Sequence, residues 1–229
     1  MGIMEQLNVV CFLWDGDRWD VEAHDGYLYV NKLYRAVQKH LSIPHRFICM
    51  TNLDKTRFDS GIEILPLNAP SWKGCLPKVC MFDPALGLTG RVFSLDIDII
   101  ITGSLDEMAQ CESEMIVRSS FKFPELLDGD IVGFKVSDEI AKKVWSPLKD
   151  DPALAEEITG GRERYWYRHI FGKNMDRYQT EYPNQLVSYK RHMRGSKVVP
   201  KNVRIVSCHG RPRPHELRVG WALKNWKEL

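Results

Sequence analysis

Two aspartates one residue apart, Asp96 and Asp98, interrupt an apolar run in the segment FSLDIDIIITG, residues 93–103. Val92, Phe93 and Leu95 precede them, and Ile99, Ile100 and Ile101 follow. Burying carboxylates in such a run is costly unless something compensates their charge. Alternate residues of an extended segment face the same way, so both side chains can point at one spot, where they repel unless a cation stands beside them. A hard divalent ion, Mg²⁺ or Mn²⁺, suits carboxylate oxygens and brings phosphorylated ligands with it. Two turn aspartates capping a helix are the alternative, and a D-x-D pair by itself leaves both readings open. A second concentration of chemistry lies near the C-terminus. Lys190 to Arg218 carries many Lys and Arg and few acids, and within it RIVSCHGRPRPHEL, residues 204–217, holds His209, Arg211 and Arg213. Such a stretch suits an anionic ligand.

These residues need a scaffold, and the apolar pattern supplies one. NVVCFLW (8–14), RFICMT (46–51), residues 62–67, 91–95, 131–136 and 203–208 read as strands. Apolar residues at Val30, Leu33, Tyr34, Val37 and Leu41 have helical spacing. Residues 78–82, 141–144 and 165–171 also read as helical. Strands alternating with helices predict an α/β fold with a mainly parallel sheet. The unbroken apolar runs at Val9 and Phe47 fit strands covered on both faces. The C-terminal third, rich in Gly, Pro and Arg, is expected to wrap the sheet. No internal repeat or low-complexity linker divides the chain, which predicts a single domain over residues 1–229. In an open α/β sheet, ligands collect at the carboxyl ends of the strands. The aspartate pair sits where the strand 91–95 ends.

The run FSLDIDIIITGSLDEM resembles the metal-binding segment of GT-A glycosyltransferases, especially the glycogenin-like and galactosyltransferase-like enzymes of family 8. There an apolar strand leads into D-x-D, three or four apolar residues and a G-x-L-x-E/D turn; here the turn is Gly103 to Glu107. RIVSCHGRPRPHEL is similar to that family's strand followed by H-x-x-G-x-x-K-P-W, with Gly210, Arg213 and Pro214 at G, K and P and His215 at the Trp. The family histidine, a metal ligand, falls at Ser207; His209 lies two residues on, on the same face if the strand continues, and takes the ligand role. The resemblance implies a GT-A, Rossmann-like mixed sheet flanked by helices, an Mn²⁺ or Mg²⁺ ion on Asp96, Asp98 and His209, and transfer of a sugar from a nucleotide-sugar donor with retention of configuration. Trp14, Asp17 and Asn31 then border the base and ribose. Lys78, Arg211 and Arg213, with Asp96, meet the donor diphosphate. Asp130, in GDIVGF, stands at a family Asn. Arg162 and Glu163, in GGRERYW, replace the Asp and Gln of G-D-Q, and Asp130 and Glu163 are the acids expected near the sugar. The expected partners are a UDP-sugar or similar donor and a saccharide or other small acceptor.

The rest of the composition narrows the field. Lys and Arg number 32 against 30 Asp and Glu, a net charge of +2 that gives no argument for a general nucleic-acid or membrane binder. Six cysteines form no CxxC pair and sit mostly in apolar runs, which predicts buried free thiols in a reducing compartment rather than a zinc site. No signal peptide or membrane-length apolar window is evident, so the expected location is cytoplasmic. Rival readings of the D-x-D are a haloacid-dehalogenase-type phosphatase, with the first Asp as nucleophile, and a nucleotidyltransferase. The phosphatase motif usually opens its chain, and neither rival accounts for HGRPRPH. A non-catalytic nucleotide-sugar-binding protein on the same fold is the third.

Overall fold

The computed structural model describes residues 5–15, 25–69, 71–173 and 175–229. Strands β1 (Leu7–Leu13), β2 (His45–Thr51), β3 (Glu63–Pro66) and β4 (Arg91–Leu95) form the parallel half of a seven-stranded sheet. Helix α1 (Gly26–His40) crosses between β1 and β2. After β4 come the short strand β5 (Ile99–Ile101), helix α2 (Asp106–Ala109), β6 (Met115–Ser119) and β7 (Leu127–Lys135). Helices α3 (Asp138–Asp150), α4 (Pro152–Thr159) and α5 (Glu163–Phe171) follow, then β8 (Asp176–Arg177), α6 (Tyr178–Glu181), β9 (Leu186–Ser188), β10 (Ile205–Ser207) and α7 (Gly220–Ala222). The large sheet runs β3-β2-β1-β4-β7-β6-β8, with β7 antiparallel to both β4 and β6. Strands β5, β10 and β9 make a second, three-stranded sheet.

The period-two geometry of a strand explains the layering. Val9, Cys11 and Leu13 of β1 join Val30, Leu33 and Val37 of α1 on one face of the sheet. Val10 and Phe12 point to the other face, against Leu76, Val79 and Met81 of a 3₁₀ turn, Val144 of α3 and Tyr167 of α5. Both faces are therefore covered, as the unbroken apolar runs predict. Helix α1 starts at Asp25, whose side chain accepts from the Leu28 amide, and ends in Lys39 and His40, which suit the helix dipole. Asn8, fully buried in β1, donates to the carbonyls of Thr89 and Arg91 at 2.8 and 3.0 Å, tying β1 to the start of β4.

The expected α/β, mainly parallel sheet is present, with differences in detail. Residues 76–82 form a 3₁₀ helix rather than an α-helix, led in by Cys75 and Pro77. Strands β6, β9 and the short β5 have no counterpart in the pattern reading, and β10 ends at Ser207, before His209. The C-terminal third does wrap the sheet: β10 pairs antiparallel with β5, and Trp221 and Trp226 join the core on the α1 face.

Candidate functional site

The chain linking β4 to β5 is residues 96–98, and it is clamped from both sides. The Asp96 amide donates to the Asp130 carbonyl of β7 at 2.8 Å, and the Cys208 amide donates to the Asp98 carbonyl at 3.1 Å. Backbone bonding thus brings the aspartate pair, β7 and the segment after β10 to one place. There a cavity of about 410 Å³ opens at the carboxyl end of β4, beside Phe12, Leu13 and Trp14 at the end of β1. Lys78, Asp96, Asp98, Asp130, Glu163, His209 and Arg213 all line it.

The carboxylates are compensated by side-chain cations. Lys78 contacts Asp96 and lies 3.5 Å from Glu163. It is 8% exposed and Glu163 5%. Burial works against the ammonium, but Asp96 and Glu163 outweigh it and hold Lys78 well above its usual value. Arg213 reaches Asp98 at 2.5 Å. Arg118, 1% exposed, contacts Asp130 and meets Asp128 at 2.8 Å. Ser207 donates to the other Asp130 oxygen at 2.7 Å.

The three aspartates divide accordingly. Burial pushes the Asp96 carboxyl up to about 7; Lys78 opposes this, while Asp98 and Asp130 add to it. Asp98 is also raised by burial, with Arg213 opposing. Burial would raise Asp130 too, but the charge and hydrogen bond of Arg118, with the Ser207 bond, hold it below the usual carboxylate range.

Glu163 opens α5 and packs on Gly129, where a Cβ would fall 2.1 Å from its Oε1. Glycine at 129 is what lets Glu163 reach Lys78. His209 arrives from the turn after β10, not from the strand, and still lines the cavity. Its Nε2 lies 3.3 Å from Ser188 Oγ, and its ring sits 6.2 Å from that of Phe121. It lies close enough to Asp98 to favour the charged carboxylate. Among the described residues no three His, Cys, Asp or Glu side chains stand together as a ready ion site.

Two expected site residues are not brought to this cavity. Asn31 is used at both ends of its amide, donating to the Arg57 carbonyl at 3.1 Å and accepting from the Asp59 amide at 3.0 Å, so it staples a loop. Arg211 is 74% exposed at its side chain and paired with Glu216. Arg211 and Arg213 flank Pro212, and only Arg213 lines the cavity. Asp17 lies outside the described residues. Conversely, the pattern reading passes over Arg118, Asp128 and Arg164, which also line the cavity. A lone arginine in the apolar run MIVRS is the same kind of signal as the aspartates in FSLDIDIII.

No family model matches the chain, and no curated protein matches it. Solved structures do. An active-site mutant of LgtC aligns over 97% of this chain and 94% of its own, with a TM-score of 0.63 at 11% identity. The galactosyltransferase LgtC with donor and acceptor sugar analogues aligns over the same shares at 0.61. The glycosyltransferase GlyE of Streptococcus pneumoniae TIGR4 aligns over 98% of this chain and 62% of its own, at 12% identity and a TM-score of 0.62. The chain therefore has the α/β fold of these glycosyltransferases, as the D-x-D resemblance implies. Among the described residues no helix is long and apolar enough to cross a membrane.

Proposed function

We propose that the protein is a metal-dependent glycosyltransferase that moves a sugar from a nucleotide-sugar donor, a UDP-sugar in the first instance, to a saccharide or other small acceptor. The supporting observation is convergence: Lys78, the Asp96/Asp98 pair, Asp130, Glu163 and Arg213 come from five separate segments to line one cavity in this fold. That LgtC has been seen with donor and acceptor sugar analogues supports reading the cavity as a place for both.

The donor set suits a divalent ion that arrives with a diphosphate. Asp96 and Asp98 offer hard oxygens, and Mg²⁺ is usually held by one or two carboxylates together with substrate phosphates. His209, lining the same cavity, is the third candidate ligand. Bound there, Mn²⁺ or Mg²⁺ would neutralise charge growing on the nucleoside diphosphate as it leaves. Lys78 and Arg213, now matched to carboxylates, would turn to the diphosphate oxygens, each such preorganised contact being worth roughly 3 kcal/mol in the transition state. Trp14, half-buried at the cavity edge, offers an aromatic face for the base. Asp130, held ionised by Arg118 and Ser207, has no proton to give at neutral pH and orients the sugar as an acceptor. Glu163 positions Lys78 and faces the same space. Transfer with retention then proceeds by front-side attack, with a diphosphate oxygen taking the acceptor proton, and needs no protein nucleophile. Cys11, Cys49, Cys80, Cys111 and Cys208 are free thiols, which supports a cytoplasmic setting.

Incubation with a panel of UDP- and GDP-sugars plus Mn²⁺ tests the reading by released nucleoside diphosphate. Turnover with at least one donor, lost in Asp98→Ala and on chelation, is expected. Absence of hydrolysis or transfer with every donor, with Asp98→Ala binding nucleotide as well as wild type, overturns it. Phosphate release from a simple phosphate ester, abolished in Asp96→Asn, would favour the phosphatase instead.

A further inference from the structure

The cavity is lined by the cations Lys78, Arg118, Arg162, Arg164 and Arg213. Four of them are matched to carboxylates: Lys78 to Asp96, Arg118 to Asp128 and Asp130, Arg164 to Asp128 at 3.0 Å, and Arg213 to Asp98. Among the described residues Arg162 has no carboxylate partner. Its Nη1 lies 3.4 Å from the Tyr165 hydroxyl, and its guanidinium 5.6 Å from that ring's centroid. The described carboxylates at the cavity are already matched to the other four cations, so among the described residues none neutralises it.

The fold nonetheless fixes its backbone. Helix α4 ends in two consecutive left-handed glycines, Gly160 at φ 56° and Gly161 at φ 75°, a conformation that favours glycine. The Gly161 carbonyl accepts from the Cys75 amide at 2.8 Å, and its amide donates to the buried Thr159 hydroxyl at 3.2 Å. A Cβ on Gly74 would come within 2.2 Å of that carbonyl, so two glycines allow the approach. Arg162 follows at once, its amide donating to the Thr159 carbonyl at 3.3 Å, and stands at the N-cap of α5. A rigid turn thus delivers to the cavity a guanidinium that no described carboxylate matches, and a neutral hydroxyl facing it would leave its charge unmet. A planar guanidinium recognises carboxylate and phosphate oxygens in a forked, two-bond geometry.

We propose that Arg162 is a specificity-determining residue that reads an acidic group, a carboxylate or phosphate, on a saccharide held in this cavity. The inference rests on the glycosyltransferase reading and names the class of sugar it takes. The acidic group sits either on the donor's sugar, as in a nucleotide-linked uronic acid, or on the acceptor.

Calorimetric titrations of the whole protein with Mn²⁺ separate the cases. One arm compares UDP, UDP-glucose and UDP-glucuronate; the other compares glucose, glucuronate and glucose 6-phosphate in the presence of saturating UDP. Wild type, Arg162→Ala and Arg162→Lys are measured in both. The expected result is a preference of about tenfold or more for the acidic sugar in one arm, the size of a charged hydrogen-bond pair. It should be lost in Arg162→Ala and partly restored in Arg162→Lys, with UDP alone binding all three proteins within about twofold, well inside that margin. The arm that shows the preference identifies donor or acceptor. Equal binding of acidic and neutral sugars in both arms overturns the proposal, as does a preference that survives Arg162→Ala. A loss of UDP binding itself in Arg162→Ala also overturns it, because Arg162 would then be a diphosphate contact. If neither UDP nor GDP binds any of the proteins, the glycosyltransferase reading falls and this inference falls with it.

Discussion

Replacing Lys78 with methionine keeps the length of the side chain and removes its charge. Lys78 is buried between two carboxylates, in contact with Asp96 and 3.5 Å from Glu163. At that separation and an effective dielectric constant of about 20, a single pair is worth about 5 kcal/mol of Coulomb energy. Relief of the ammonium's own desolvation offsets part of it, and removing one partner of a buried pair costs roughly 3–5 kcal/mol net. The pH dependence is more specific. In the wild type Asp96 already sits at about 7 rather than 3.8, so the folded state disfavours its ionised form. Such a carboxylate weakens the fold progressively as pH rises from its unfolded value to its folded one, and no further above that. Without Lys78 the chief opposing charge is gone and the folded value moves above 7. Between pH 7 and that new value the variant keeps losing stability while the contribution of Asp96 to the wild type is level, so the gap widens by about 1.4 kcal/mol per pH unit. Urea unfolding of both proteins at pH 6, 7, 8 and 9 measures this. A gap under about 1 kcal/mol at pH 8, or one that stays constant or narrows from pH 7 to 9, would refute the electrostatic account of the site, since either falls well short of a broken buried pair.

Other perturbations probe separate parts of the same geometry. Arg118→Met leaves Asp130 buried with Ser207 as its remaining listener, and unfolding should show a loss of about 3–5 kcal/mol; a change below about 1 kcal/mol, the size of a surface pair, would contradict the buried network. Gly129→Ala drives a Cβ into Glu163, so donor turnover should drop sharply while stability falls by only about 1–3 kcal/mol; unchanged turnover would remove Glu163 from the site. Mn²⁺-dependent UDP affinity should strengthen as pH rises from 6 to 8, because Asp96 at about 7 must ionise to serve as a ligand; a flat titration would argue against that role. Arg211→Ala, at an exposed pair with Glu216, should leave UDP affinity within about twofold, as a surface ion pair is worth at most about 1 kcal/mol, whereas Arg213→Ala should weaken it markedly.

The parallel half of the sheet and the aspartate pair were legible because each is local. A strand covered on both faces is mostly apolar, and β1 from Val9 onward, β2 from Phe47 to Met50 and β4 at Val92, Phe93 and Leu95 show such runs; two carboxylates in such a run announce a cost on their own. Short strands such as β5 and β9 carry too few residues for a period to show, and they exist because β10 lies between them. The same limit separates Arg213 from Arg211, and Lys78 from Asn31: each is a plausible polar residue in its own segment, and only packing decides which faces the cavity.

What compensates Asp96 and Asp98 illustrates the division. Local chain order already puts two carboxylates at the end of an apolar strand, where they need positive charge. It also puts a basic segment far along the chain, with Arg213 115 residues from Asp98. Packing alone settles that Lys78 and Arg213 supply that charge, that Ser207 serves Asp130, and that Arg162 reaches the cavity with no carboxylate partner among the described residues. The physical reason is range. The price of burying a charge is set by a residue's immediate chain neighbours, but its counter-charge can come from anywhere the fold brings within a few ångströms.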